Sequence, residues 1–371
     1  MELQVSQLQR ALQAVSGACN PRHTSEVLQH VLLRATAHGV QVVGSDNEIT
    51  AIAIVTPESI RPETLPALEI LLPQKFIEIL KQLTADTLRI ITDDTSLQLT
   101  SGGGRWRLAT ADPKEYPIWA SPAGTAGLTL DHVELTDALQ GVVFCCDNQS
   151  RRYALGAVRM ECDGRNVLSA IATDGRRLAT KLVVANIENV TQIAALIPSK
   201  AVKAIRAMAA VGQVLLQADE RNVYVTDQVG NRVIVRQTEG RFPRWRDVIP
   251  DDKDAVGITC TTAQLATCVR QVQAMADREG RSVSLTIDQG VILCSAEGTG
   301  GNGQCEMQHG AGNADKRYEV TLDALYLLQA LQACGDQVTL SWAVEPVVID
   351  RAVKLVSGMW RGVIMPLSVE G

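Results

Sequence analysis

The sequence has few aromatics. Phe, Trp and Tyr together make up 4% of 371 residues, so its cores must be built from Leu, Val, Ile and Ala. It also lacks the spacings that carry metal or redox chemistry. Its nine cysteines are an odd number, scattered, with no Cys-x-x-Cys pair; Cys145 and Cys146 are merely adjacent. A disulfide framework or a zinc site needs better spacing, so reduced thiols in a cytosolic protein are expected. The five histidines, His23, His30, His38, His132 and His309, are dispersed and have no ligand partner four residues on. No metal and no cofactor are expected. No G-x-x-x-x-G-K-[ST] string occurs, which removes a P-loop ATPase, and no G-x-S-x-G, which removes a hydrolase elbow. No apolar stretch is long enough to span a bilayer. The start, MELQVSQLQRALQ, has no basic region leading into an apolar run, so no signal peptide is read there. A cytoplasmic protein with no membrane partner is expected.

Two motifs invite an enzyme reading. Gly298-Thr-Gly-Gly-Asn-Gly303 satisfies G-x-G-x-x-G after a plausible strand, Val291 to Ser295. A dinucleotide site needs a helix next, with its N-terminus at the phosphates. Gln304 to Gln308 is short and strand-like, so a hairpin loop is expected, with a nucleotide-binding enzyme as the alternative. Asp251, Asp252 and Asp254 lack the glycine turn and bidentate Glu of a calcium loop and read as a solvated charge run.

What is present is length and repetition. Apolar residues at 46% and charged residues at 20% describe a globular protein, and 371 residues exceed one ordinary core. Arg10-Ala-Leu-Gln-Ala-Val15 is nearly copied by Asp137-Ala-Leu-Gln-Gly-Val142, 127 positions on, with a weaker copy at Cys268 to Val272. Pro73 to Leu80 recurs as Pro198 to Ile205, 125 positions on, and as Thr321 to Leu328, 123 further. In the first two copies the proline is read at the first helical turn. Alternating β-branched runs, such as Val40 to Asp46 and Val167 to Asp174, lie between these helices. Tyr116-Pro117, Phe242-Pro243 and Met365-Pro366 close each third. Linkers are read at Trp119 to Gly127 and at Pro250 to Gly257, giving domains over 1–120, 128–250 and 256–371. The fold class is α+β: three repeated domains, each with two helices packed on antiparallel sheets.

Three segments then carry a resemblance. They are Arg152-Tyr-Ala-Leu-Gly156 with Ala172-Thr-Asp-Gly-Arg-Arg-Leu-Ala179; Glu239-Gly-Arg-Phe-Pro-Arg-Trp-Arg-Asp-Val-Ile-Pro250; and Val363-Ile-Met-Pro-Leu367. Together with the repeat they make the chain resemble the bacterial DNA polymerase III beta subunits, the sliding-clamp family. The resemblance covers essentially the whole chain and is poorest near Cys19 to Thr24. It implies a non-catalytic processivity factor, a homodimer closed head-to-tail into a ring around duplex DNA. The replicative polymerase, the clamp loader and repair proteins would bind it through short linear motifs. It implies a partner-peptide pocket of Leu155, Thr173, Gly175, Arg176, Arg177, Leu178, Pro243, Val248, Val344, Val363, Ile364, Met365, Pro366 and Leu367. It implies a dimer contact of Trp106 and Leu108 with Ala274 and Met275. A divergent clamp with a reduced replication role is the other reading.

A formal net charge of −6 disfavours a uniformly basic surface but not a local basic stripe. The resemblance implies that helices face DNA, and sliding calls for phosphate attraction without base readout. The candidates are Arg10, Arg22, Lys75, Gln149, Arg152, Tyr153, Lys200, Lys203 and Arg206. Lys200, Lys203 and Arg206 sit three apart opposite Val202 and Ile205. Over the six expected helices the charges cancel, so weak, salt-sensitive DNA affinity and topological retention are expected.

Overall fold

The computed structural model describes residues 1–36, 39–55, 68–93, 96–124, 127–150, 153–162, 166–188, 192–208, 210, 212–251, 255–277 and 281–367. Six α-helices lie among them: α1 (Val5–Val15), α2 (Gln74–Gln82), α3 (His132–Val143), α4 (Ala201–Ala207), α5 (Thr262–Gln273) and α6 (Ala324–Ala333). The repeat is visible in how the helices begin. Strands Glu2–Gln4, Gly127–Asp131 and Ala255–Thr261 run directly into α1, α3 and α5. Strands Glu69–Leu72, Ile193–Pro198 and Tyr318–Asp323 lead into α2, α4 and α6. The chain therefore carries three copies of one two-helix unit.

Each helix buries the stripe its sequence predicts. Helix α1 buries Val5, Leu8, Ala11, Leu12 and Val15, a spacing of three and four that gathers them on one side. Helix α6 starts at Asp323, whose Oδ1 accepts hydrogen bonds from the amides of Leu325 (2.8 Å) and Tyr326 (3.2 Å). Helix boundaries correct two expectations. Pro73 is the extended residue before α2, and Pro198 is the last residue of a strand, so neither proline occupies a first helical turn. Lys200 likewise precedes α4 rather than lying in it.

The described chain forms two compact units: Met1–Thr136 with Cys162–Asn166 and Val184–Thr238, and Asp137–Glu161 with Val167–Val183 and Glu239–Gly371. Each is knitted across a repeat boundary by a backbone ladder. In the first, strand Arg232–Arg236 pairs antiparallel with Ile49–Val55, from Arg232 opposite Ile52 to Val235 opposite Ile49. This pairing sits inside a nine-stranded sheet, and the core against it takes Leu32, Val43 and Leu71 from the first repeat and Tyr224 and Ile234 from the second. A separate four-stranded sheet ends on strand Gly104–Ala109.

In the second unit, strand Arg177–Val184 pairs antiparallel with Trp360–Ile364. Trp360 is fully buried, and its indole N–H donates to the Gly141 carbonyl at 2.7 Å, fixing α3 to the sheet. This unit has its own four-stranded sheet, ending on strand Gly301–Gln308. The G-x-G-x-x-G string is a hairpin there: Gly298 is opposite Gly301, and a strand follows rather than a helix. That geometry removes the phosphate-cradling reading. All nine cysteines are unpaired. Among the described residues no helix is long and apolar enough to cross a membrane.

Gly17 marks a close approach of two backbones in the first unit. A Cβ there would stand 2.5 Å from the Ala204 Cα, a backbone atom that cannot swing aside. Gly17→Ala should therefore destabilise the fold by about 1–3 kcal/mol, the usual cost of overpacking, read as a lowered thermal midpoint.

Candidate functional site

The site begins with the five-residue turn Thr173 to Arg177. The Asp174 Oδ1 accepts from the amides of Arg176 and Arg177, both at 2.9 Å. The Thr173 hydroxyl donates to the Arg177 carbonyl at 2.7 Å and accepts from the Gly175 amide at 3.1 Å. Gly175 has φ +89°, with no atom within 4 Å of where a Cβ would stand, so glycine is needed for conformation rather than for room. The turn reverses the chain into strand Arg177–Val184, which pairs with Trp360–Ile364. The ladder continues past the strand: the Met365 amide donates to the Arg176 carbonyl at 2.9 Å. The Leu367 amide then donates to Thr321 at 2.8 Å, tying the terminal segment to strand Tyr318–Asp323.

These hydrogen bonds join the Thr173–Arg177 turn, strand Trp360–Ile364 and the Met365–Leu367 segment into one surface of the second unit. Leu155, Thr173, Leu178, Val363 and Ile364 are buried in this unit. Val248 and Met365 are 53% and 45% exposed, large apolar side chains open to solvent. Pro243, Gly175 and Arg176 are also exposed; Val344, Pro366 and Leu367 are half-buried. Ala154, next to Leu155, lies 3.4 Å from the Cβ position of Gly240, linking that segment to the stretch that carries Pro243 and Val248.

Sequence reasoning missed Val347 and Val348, 40% and 54% exposed. The Val347 carbonyl accepts from the Glu319 amide at 2.9 Å, so it shares with Leu367 the outer edge of strand Tyr318–Asp323. The available signal was the run Val344-Glu-Pro-Val-Val-Ile349, whose valines follow a proline.

Arg177 stands apart from the other predicted pocket residues. Its side chain is 9% exposed. Nε donates to the Asp174 carboxylate at 2.9 Å, and the guanidinium also donates to the Phe144 carbonyl at 2.6 Å and to the Gln329 amide oxygen. It lies 4.1 Å over the Tyr326 ring. Arg177 therefore locks the turn to the end of α3 and to α6 from beneath. Tyr326 and Gln329 are further positions that sequence reasoning did not select.

Beside this surface is a cavity of about 630 Å³ lined by Arg159, Glu161 and the run Gly240 to Asp247. Glu161 accepts from Arg159 at 2.7 Å and from Arg246 at 2.5 Å, and Arg246 stacks 4.2 Å over Trp245. Burial opposes ionisation of Glu161, but the hydrogen bonds from Arg159 and Arg246 outweigh it and hold its carboxyl below the ordinary range.

The predicted DNA-facing cations fall mostly in the first unit. Arg10 on α1, Arg22, Lys75 on α2, and Lys203 and Arg206 on α4 are exposed, as is Gln149 of the second unit. Arg152 and the side chain of Tyr153 lie outside the described residues. Lys200 is not a free cation. Its ammonium meets Asp46 at 3.0 Å and Glu48 at 2.6 Å. Burial lowers its pKa, but the two carboxylates more than compensate and raise it, so it stays charged and neutralised. Helices α1, α2 and α4 still present Arg10, Lys75, Lys81, Lys203 and Arg206 against the single carboxylate Glu78. The helices are thus less evenly balanced than expected, because Asp131 and Asp147 fall outside α3 and Asp323 is a cap.

Two sheet edges bear the remaining candidates. Trp106 folds over Gly104 on the edge strand of the first unit, half-exposed like Leu108. Ala274 and Met275 are exposed at the end of α5, and Met275 covers Gly303 of the edge strand in the second unit.

Residues 1–120 match the DNA polymerase III beta subunit N-terminal domain, and residues 129–244 match its central domain. The chain belongs to the sliding-clamp family. The beta sliding clamp of Pseudomonas aeruginosa is 24% identical over 347 residues, 90% of each chain. That of Caulobacter vibrioides is 26% identical over 98% of each. A Pseudomonas aeruginosa sliding clamp solved with griselimycin bound superposes with a TM-score of 0.90 at 22% identity, covering 100% of this chain and 99% of that one. The Bacillus subtilis clamp gives 0.89 at 20% identity, covering 99% and 98%. The clamp fold is thus kept while most side chains have changed.

Arg177→Ala would strip the Asp174 carboxylate of its counter-charge, leaving it only the two backbone amides, and would empty two further acceptors. The loss should be roughly 3–5 kcal/mol, the cost of breaking a buried pair from one side. Chemical denaturation of Arg177→Ala against Arg176→Ala checks this, with Arg176→Ala close to the parent.

Proposed function

We propose that this chain is a processivity clamp: a non-catalytic cytoplasmic protein that closes head-to-tail with a second copy around duplex DNA and tethers partners to it. Its three domains would run over 1–120, 128–250 and 256–371. The observation that carries the reading is the backbone link between the Thr173–Arg177 turn and the terminal segment that presents the exposed Met365, in a chain of the sliding-clamp family. Exposed Val248 and Met365 suit a short linear motif with apolar anchors, and a thioether adapts to more than one of them. The replicative polymerase, the clamp loader and repair proteins are the partners this surface would serve.

Ring closure is supported by the two terminal strands, Gly104–Ala109 and Gly301–Gln308, each with one unpaired ladder edge in its own sheet. An edge of that kind calls for a cover, and a strand of a second copy supplies it at both ends. Trp106 and Leu108 would then meet Ala274 and Met275 of the other copy. The exposed Arg10, Lys75, Lys203 and Arg206 would attract phosphates without reading bases. With Lys200 neutralised, retention rests on the closed ring more than on adhesion.

A clamp loaded on nicked circular DNA should stay bound at high salt and slide off once the circle is cut open. Persistence on unblocked linear DNA at high salt would contradict the topological account. Met365→Asp should cut the affinity for a partner peptide about tenfold or more, since a charge replaces an apolar contact. The oligomeric state, measured by light scattering, should be unchanged in that variant, and processive synthesis should fall with the peptide affinity.

A further inference from the structure

Three thiols from three elements meet in the second unit. Cys268 is on α5, Cys294 on strand Val291–Gly298, and Cys305 on the edge strand Gly301–Gln308. Cys294 and Cys305 stand opposite one another in the antiparallel register. The Cys268 Sγ lies 2.9 Å from the Cys305 Sγ, inside ordinary van der Waals contact. The Cys305 thiol also has the Gln271 Oε1 at 3.0 Å, one turn further along α5. Among the described residues no group of three or more His, Cys, Asp and Glu is placed to hold a metal ion.

The three differ in access. Cys294 is completely buried and Cys268 nearly so, while Cys305 is half-exposed. A reagent from solvent therefore meets Cys305 first, and the sulfur nearest to it is that of Cys268. We propose that Cys268 and Cys305 form a thiol–disulfide modification site, with Cys305 taking up a low-molecular-weight disulfide and Cys268 resolving it into an intramolecular bond.

The chemistry balances. The Cys305 thiolate attacks one sulfur of the disulfide R–S–S–R; a Cys305–S–R bond forms and one R–S⁻ leaves. The Cys268 thiolate then attacks the Cys305 sulfur and expels the second R–S⁻. Two protein thiols lose a proton each and two electrons in all, and the reagent is reduced to two R–SH. Burial, with the Cys305 hydrogen bond adding to it, pushes the Cys268 thiol up to about 11. The resolving step is therefore slow at neutral pH and speeds up as pH rises towards that value. Contact between the two sulfurs offsets part of this, because an intramolecular attack needs no encounter.

The bond would strap α5 to the edge strand. Met275, two residues past the end of α5, already packs on Gly303 of that strand. Oxidation would thus stiffen the segment carrying Ala274 and Met275, from the face of the edge strand that α5 covers. The site does not depend on the clamp reading, and its chemistry can be read without DNA or ring formation.

The full-length protein should be incubated with oxidised glutathione, its remaining thiols blocked with N-ethylmaleimide, and the unreduced digest examined by mass spectrometry. The expected product is one peptide pair joined through Cys268 and Cys305, released by dithiothreitol. Its rate of formation should rise about tenfold per pH unit below the Cys268 pKa, following the thiolate fraction. Cys268→Ser should trap glutathione on Cys305, and Cys305→Ser should yield neither adduct nor cross-link. Should either variant fail to fold, a time course on the parent protein serves instead: the Cys305 adduct must precede the cross-link. The proposal is overturned if glutathione remains on Cys305 in the parent protein, if Cys294 is the residue cross-linked, or if both thiols stay open to N-ethylmaleimide.

Discussion

The candidate site depends on one antiparallel ladder, between Arg177–Val184 and Trp360–Ile364. Its register sets Leu178 opposite Val363 and Arg177 opposite Ile364. Side chains alternate across a strand, so a slip of one residue would turn Leu178 and Val363 away from the core. The same register brings the Met365 amide to the Arg176 carbonyl and carries the terminal segment on to Thr321. Two sequence segments almost two hundred residues apart thus become one surface. The corresponding ladder in the first unit, Arg232–Arg236 with Ile49–Val55, gives two repeats one core.

Charge is used in two ways on this scaffold. Where a cation is buried, it is fully employed: Arg177 satisfies a carboxylate, a main-chain carbonyl and an amide oxygen while stacking on Tyr326. Such a group rigidifies what it touches, because leaving any partner unsatisfied in a low-dielectric site is costly. Where cations are exposed, on α1, α2 and α4, they are left open and opposed by one carboxylate. Lys200 lies between these cases, exposed yet matched by Asp46 and Glu48.

The two small sheets are each left with an open ladder edge, and open edges are the feature that a soluble β protein must cover or blunt. In the first unit the edge strand carries Arg105 and Arg107 alternating with half-exposed Trp106 and Leu108. In the second, it carries glycines, Cys305 and the packing of Met275. The thiol pair lies on the helix-facing side of that strand, so its chemistry and the strand's pairing edge use different sides of the same backbone.

The sequence by itself determined what is local. The three copies of a strand-to-helix unit follow from apolar periodicity, the Asp174-Gly175 turn from side-chain hydrogen bonding and a positive φ, and the 298–303 hairpin from glycines flanked by strand-like runs. The motif matches also pointed to the family that the chain belongs to. What tertiary structure alone decided is which distant groups meet. Arg177 went beneath the surface because Phe144 and Gln329 offered acceptors there, and Lys200 was neutralised by a turn 154 residues earlier. Val347 joined the site through an edge of strand Tyr318–Asp323, and Cys268 met Cys305 across 37 residues. Such pairings depend on strand register and helix docking, which no local pattern encodes, so composition and spacing could supply the residues but not their neighbours.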